Sequence, residues 1–220
     1  MAEEIPTEFR PRPDTESRPL YFAYGSNLSY GQMRQRCTHA PGHSATPRAL
    51  ARLDGWKWII CDRGYANVIP PAELRIGEFQ RVWADSPATE KGDTVYGLLY
   101  DMAVEDEMLL DRYEDVDYAA PVGKEDKVAL SMRPRKQGRG DYTKWYVPAV
   151  VEQWFGKEKG PDVTTVLVYI DEECVREGRP RDEYIARMNR GIVEAQSLGL
   201  PTAWTDDVLR KFIPKRPIDV

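Results

Sequence analysis

The sequence is poor in the residues that usually announce a metal centre or a disulfide scaffold. It holds three cysteines, Cys37, Cys61 and Cys174, and only two histidines, in 220 residues. An odd, widely spaced cysteine set excludes a disulfide framework and fits a chain with reduced thiols, which we read as cytoplasmic. Any Cys-His or Ser-His catalytic pair would have to use His39 or His43. Those two and Cys37 have a metal-like spacing, but they sit in a Pro/Gly turn without a fourth ligand nearby, so we read them as surface residues. No apolar run approaches the ~18 residues of a membrane span, and the start of the chain lacks the apolar region of a secretory signal. Basic residues are not in excess either. With 31 Lys and Arg against 36 Asp and Glu, net charge is −5, which argues against a nucleic-acid partner. There is no phosphate-binding P-loop and no G-x-G-x-x-G turn.

What is present suits a single folded unit. Residues 1–18 are proline-rich with mixed charge and have little to bury, so we expect a disordered arm before one domain at 19–220. Strands are expected at 20–24, 44–53, 56–62, 66–69, 79–84, 94–101, 125–132, 145–153 and 163–170. Helices are expected from Ser29, as cap, through Arg36, and over 102–116, 180–198 and 205–212, with Pro180 in the first turn of the third and Gly199 ending it. The cluster Arg133, Arg135, Lys136, Arg139 and Lys144, broken by Pro134, Gly138 and Gly140, reads as a solvated hairpin loop. Segregated strands and helices imply an α+β fold, a small mixed β-barrel flanked by helices.

Two places could carry chemistry. At Tyr24-Gly25-Ser26-Asn27 a strand enters a turn before a helix. Gly25 there can adopt backbone angles closed to other residues, and the following amides can point at an anion. Glu114 lies four residues after Leu110, on the apolar face of its helix and near its C-terminus. Burial and the helix dipole both raise a carboxylate pKa toward the range useful for accepting and returning a proton.

These residues resemble a known family. Tyr21-Phe22-Ala23-Tyr24-Gly25-Ser26-Asn27-Leu28 is similar to the signature of the gamma-glutamylcyclotransferases. Val95-Tyr96-Gly97-Leu98-Leu99-Tyr100 resembles its "v-x-G-x-x-y" strand. Leu110-Asp111-Arg112-Tyr113-Glu114 resembles the "L-D-x-x-E" bearing its catalytic glutamate, and Arg176-Glu177-Gly178-Arg179-Pro180, with Tyr184, resembles the opening of its C-terminal helix. Together they span about residues 20–200.

The resemblance implies a gamma-glutamylcyclotransferase-like barrel in which the loop faces the glutamate across a cavity. It implies Glu114 as catalytic acid/base, with Tyr21, Phe22, Ala23, Tyr24, Gly25, Ser26, Asn27 and Tyr118 binding substrate, and neither cofactor nor metal. The expected reaction releases 5-oxoproline from a gamma-glutamyl amino acid. Alternatives are a glutathione-derived biosynthetic intermediate or a gamma-glutamylamine as substrate, or a non-catalytic binding protein on the same scaffold. The partner is a small molecule rather than a membrane or nucleic acid, and homodimerisation stays open. Asn27 favours this branch over the glutathione-specific one, where leucine is usual. The stretch 70–93 looks longer than in compact members. The short spacing from Glu114 to Tyr118 resembles the gamma-glutamylamine branch, and Val150-Val151-Glu152 stands where many members carry an aromatic residue.

Overall fold

The computed structural model describes residues 18–75, 83–124, 127–157 and 159–215. The expected arm at 1–17 and strand residues 79–82 lie outside them. Arg18 is placed: it donates to the Met102 carbonyl at 3.2 Å and pairs with Glu107 at 2.5 Å.

Seven strands form among the described residues: β1 Leu20–Ala23, β2 Pro47–Asp54, β3 Lys57–Ile60, β4 Ala66–Ile69, β5 Thr94–Tyr100, β6 Thr143–Trp154 and β7 Val163–Ile170. Five of them close a barrel in the order β1-β5-β2-β6-β7, and β3 pairs with β4 as a separate hairpin. Only the seam between β1 and β7 is parallel; the other barrel pairings are antiparallel. Closure removes open sheet edges and brings β1, at Tyr21, beside Leu167 of β7. The barrel is filled by side chains with no water-accessible surface, among them Phe22, Leu53, Leu99 and Trp145. Gly97 is needed for this packing: a Cβ there would lie 2.6 Å from the Ala23 carbonyl oxygen and 2.7 Å from the Phe22 ring. The glycine of the β5 motif therefore lets β1 and its neighbour approach.

Outside the barrel lie α1 Tyr30–Arg36, α2 Pro41–Ser44, α3 Val104–Tyr113, α4 Asp182–Ser197 and α5 Thr202–Asp207. Ser29 caps α1, its hydroxyl accepting from the Gln32 amide at 3.0 Å. Helix α4 starts at Asp182, so Pro180 stands just before the helix rather than in its first turn. At its other end Gly199 adopts φ +101°, while the Gly199 and Leu200 amides donate back to Gln196 and Ala195 at 3.1 and 3.0 Å. That is a Schellman ending, and it is where the sequence places it.

Three further expectations fail. Residues 83 and 84, the described end of the strand expected at 79–84, are helical. No strand forms among the described residues of 125–132, which are turns. The basic cluster is also not a solvated loop, because Arg133 is 1% exposed and Gln137 is fully buried. The Glu172 carboxylate draws Arg133 inward through bonds of 2.6 and 2.7 Å and also accepts from the Trp145 indole at 2.7 Å. Gln137 fastens the loop by donating to Asp171 at 2.8 Å and accepting from the Glu172 amide at 2.6 Å. A buried charge needs such a partner, and this one comes from a distant segment.

Candidate active site

Where β1 runs into α1, the chain makes a short 3-10 turn at Ser26–Leu28. Gly25 has φ −111°, which other residues adopt, so its role is spatial. A Cβ there would lie 2.9 Å from the Tyr184 hydroxyl and 3.2 Å from the Ala66 Cβ. The turn is held by its own polar groups. Asn27 donates to the Tyr21 hydroxyl at 2.9 Å, and Gln32 donates to Ser26 Oγ at 2.8 Å and Asn27 Oδ1 at 2.7 Å. The Ser26 amide donates to the Tyr184 hydroxyl at 3.2 Å, and the Trp58 indole to the Tyr24 carbonyl at 2.9 Å. The Asn27 side chain therefore shapes the turn.

Glu114 is the capping residue at the C-terminus of α3. The amides of Asp115 and Val116 donate back to Arg112 and Asp111 at 3.3 and 2.9 Å, the Schellman pattern seen at Gly199. Here the left-handed position is held by Asp115, at φ 50°. A non-glycine residue is strained there by about 1 kcal/mol. The neighbouring loop clamps it: the Asp141 amide donates to the Asp115 carbonyl at 3.1 Å, and a Cβ on Gly140 would overlap that same oxygen.

Glu114 and the Gly25 turn face one cavity of about 250 Å³. Tyr21, Tyr24, Gly25, Ser26 and Asn27 line it, together with Arg36, Tyr65, Tyr142, Tyr169, Tyr184 and Arg187. Phe22 and Ala23 do not line it; both are buried in the core. Tyr118 lines a smaller neighbouring pocket with Lys144 and Tyr146 and donates to Asp111 Oδ2.

The cavity is polar and charged. Arg36 donates to Glu114 Oε1 at 3.2 Å, and both side chains are 16% exposed. Arg187 donates to Ser26 Oγ at 2.8 Å and Gln32 Oε1 at 2.9 Å. Burial holds the Glu114 carboxyl above its ordinary value; Arg36 and Arg187 pull it down and Asp111 adds to the rise. Burial likewise keeps the phenols of Tyr21, Tyr24, Tyr142 and Tyr169 protonated, and lifts Tyr184 to about 12. The site thus offers Glu114 as a buried carboxylate able to take a proton, a second, exposed carboxylate at Asp141, two guanidinium groups and a wall of neutral phenols.

Asp111 supports this wall from behind. It is buried and accepts from Tyr169 at 2.5 Å and Lys144 at 3.0 Å, as well as from Tyr118. Burial would lower the Lys144 ammonium, but Asp111 and Glu107 hold it above its ordinary value.

Arg36 and Arg187 escape the motif reading. The signal for each was periodicity: Arg36 follows Gln32 by four positions and Arg187 follows Tyr184 by three, so each shares a helix face with a turn-binding residue. Cys37 is buried and His39 and His43 are exposed. The two imidazoles pair with Glu105 and Asp101 at 3.6 and 3.5 Å.

No family model and no curated protein matches the sequence. Solved structures do. The chain is similar to YkqA from Bacillus subtilis at 17% identity, with a TM-score of 0.53 over 91% of this chain and 57% of that one. It thus spans little more than half of YkqA's length. It is similar to the uncharacterized protein loc79017 from Homo sapiens at 19% identity, with a TM-score of 0.54 over 93% of this chain and 92% of that one. The shared class is α+β, a small closed mixed barrel flanked by helices, as the motif resemblance implies. A glutathione-specific gamma-glutamyl cyclotransferase from yeast lies further off, at 16% identity and a TM-score of 0.44 over 86% and 91% of the two chains. At that distance its activity says nothing of this chain.

Proposed function

We propose that the chain is a gamma-glutamyl cyclotransferase that releases 5-oxoproline from gamma-glutamyl amino acids, with Glu114 as the proton-transfer group. One observation carries this reading: a half-buried carboxylate, raised in pKa, shares a polar cavity with the Gly25-Ser26-Asn27 turn.

The reaction is an intramolecular aminolysis. The substrate's α-nitrogen attacks its γ-carbonyl carbon, a C–N bond forms to close a five-membered lactam, and the original amide C–N bond breaks. One proton leaves the attacking nitrogen and one must reach the departing nitrogen. Glu114 accepts the first and returns it to the second, so its charge is restored at the end of each turnover. A carboxyl raised toward neutrality suits both halves of that exchange. Arg187, fixed against Ser26 and Gln32, offers a charge-assisted contact for the substrate's α-carboxylate. The Tyr184 phenol, a neutral group whose oxygen accepts from the Ser26 amide, can donate to the oxyanion that develops on the γ-carbonyl. Tyr24 and Tyr142 donate to the Tyr169 and Ala66 carbonyls and complete the neutral wall. Holding the substrate folded contributes the rest, because the reacting atoms belong to one molecule whose loose rotations the cavity removes.

The test is to incubate the purified chain with gamma-glutamyl-L-alanine and follow products by mass spectrometry. Equal amounts of 5-oxoproline and alanine are expected. No 5-oxoproline from gamma-glutamyl amino acids, gamma-glutamylamines or glutathione would overturn the reading.

A further inference from the structure

The hairpin that carries Tyr65 and Ala66 to the cavity has a second cluster at its turn. Cys61 and Asp62 meet Cys174, from the segment after β7, with their donor atoms all within 4.8 Å of one another. Both cysteines are buried, at 1% and 4% exposure, whereas the Asp62 side chain is 39% exposed.

The backbone around these sulfurs is already arranged for a bound ion. The Gly64 amide donates to the Cys61 carbonyl at 2.8 Å and the Cys61 amide to the Tyr65 carbonyl at 2.9 Å, a tight turn that requires Gly64 at φ +90°. On the other side, the Cys174 amide donates to Asp171 Oδ1 at 3.1 Å and its carbonyl accepts from Asn67 at 2.9 Å, so that segment is equally fixed. Asp62 divides its two oxygens. Oδ2 accepts from Arg176 at 2.8 Å, while Oδ1 accepts from the Cys174 thiol at 2.7 Å, the proton that a bound ion would replace. One oxygen thus has an outer partner and the other points at the thiols, the usual division for a ligating carboxylate.

We propose that Cys61, Asp62 and Cys174 bind one thiophilic divalent cation of the zinc class, locking the hairpin to the segment after β7. Bonds of about 2.3 Å to sulfur and about 2.0 Å to oxygen put tetrahedral donors about 3.5–3.8 Å apart. The exposed Asp62 carboxylate, 2.7 Å from Cys174 Sγ without the ion, therefore moves outward by about 1 Å when it binds, still within the 4.8 Å span of the cluster. Water fills the fourth position. The exposed carboxylate is the entry point, and binding releases the thiol protons to solvent. The site is independent of the proposed reaction, and its role is to hold Tyr65 and Ala66 in place.

The experiment uses the full chain, reduced with a phosphine and stripped with a chelator, titrated with Co²⁺ and then with Zn²⁺. The expected result is one Co²⁺ per chain with a thiolate-to-cobalt charge-transfer band, abolished by one equivalent of Zn²⁺. Cys61→Ser and Cys174→Ser lose the band, and Cys37→Ser keeps it. Asp62→Asn leaves both thiols in place and weakens binding at least about 10-fold; it is the variant to read if a serine variant fails to fold by circular dichroism. A reduced wild type that takes up neither ion overturns the proposal, as does uptake that survives in both serine variants.

Discussion

Replacing Glu114 with Gln separates proton transfer from every other role of the residue. Glutamine keeps the length of the side chain and an oxygen for the 3.2 Å bond from Arg36, but it cannot take a proton from the attacking nitrogen. General acid–base catalysis contributes about 10² to 10⁴ in rate, or about 3–5 kcal/mol in the barrier at about 1.4 kcal/mol per decade. The expected result is a kcat lower by that factor, with KM changed only a few-fold, because Arg187 and the turn are untouched.

The same substitution tests the electrostatics. Burial holds the folded Glu114 carboxyl above its ordinary 4.5, so folding favours the protonated form. Its contribution to stability is complete below the unfolded pKa and is lost as pH rises through the folded one. At pH 7 the wild type bears the cost of an ionised, half-buried carboxylate and the Gln variant does not. Glu114→Gln should therefore melt no lower than wild type at pH 7, and any gain should shrink to nothing below about pH 4. In wild type, kcat/KM should rise with pH along an acid limb centred above 4.5, and that limb should be absent from the residual rate of the variant. Two assays suffice: 5-oxoproline release across pH, and thermal melts at the two pH values. A variant keeping more than about a tenth of the wild-type kcat, against an expected loss of at least 10², would refute Glu114 as the base. A lower melting temperature at pH 7 than wild type, unchanged in acid, would refute the burial argument.

Two further substitutions probe what holds Glu114 and its surroundings. Gly140→Ala forces a Cβ into the Asp115 carbonyl oxygen, and because both sides of the clash are backbone the loop must move. We expect a loss of about 1–3 kcal/mol in denaturant unfolding and, for a shift of about 1 Å at Glu114, a kcat lower by about 10²; wild-type kcat with normal stability would refute the clamp. Asp111→Asn leaves Lys144 buried with Glu107 as its remaining partner at 2.5 Å and weakens the bond that holds the Tyr169 phenol in the cavity wall. The expected cost is about 3 kcal/mol, at the lower end for breaking a buried pair, with KM affected more than kcat; a change under about 1 kcal/mol would show that Glu107 alone supports the lysine.

The residues that were legible in the sequence are those whose surroundings are local. The apolar run from Leu20 ends at Gly25-Ser26-Asn27 because a buried strand must leave the barrel there, and Ser29 caps α1 through an amide three positions on. Glu114 could be placed on the apolar side of its helix from Leu110 alone. What could not be read was the partner of each charge. Arg36 meets a carboxylate 78 positions away, Arg133 one 39 away, and Cys174 an aspartate 112 away. Closure of the barrel through the parallel seam of β1 and β7 brings distant segments together, and no local pattern encodes it. The basic loop shows the consequence. Its composition is that of a solvated turn, and only the arrival of Glu172 beneath it makes burial of Arg133 affordable. Gly25 shows the same limit from the other side: the glycine was legible, but its reason was not, since φ −111° is open to any residue and the constraint is a tyrosine hydroxyl on a helix 159 positions later. Chemistry at this site therefore depends on contacts set by topology, and that is why Gly140→Ala, at a residue that does not line the cavity, is expected to cost nearly as much rate as changes within it.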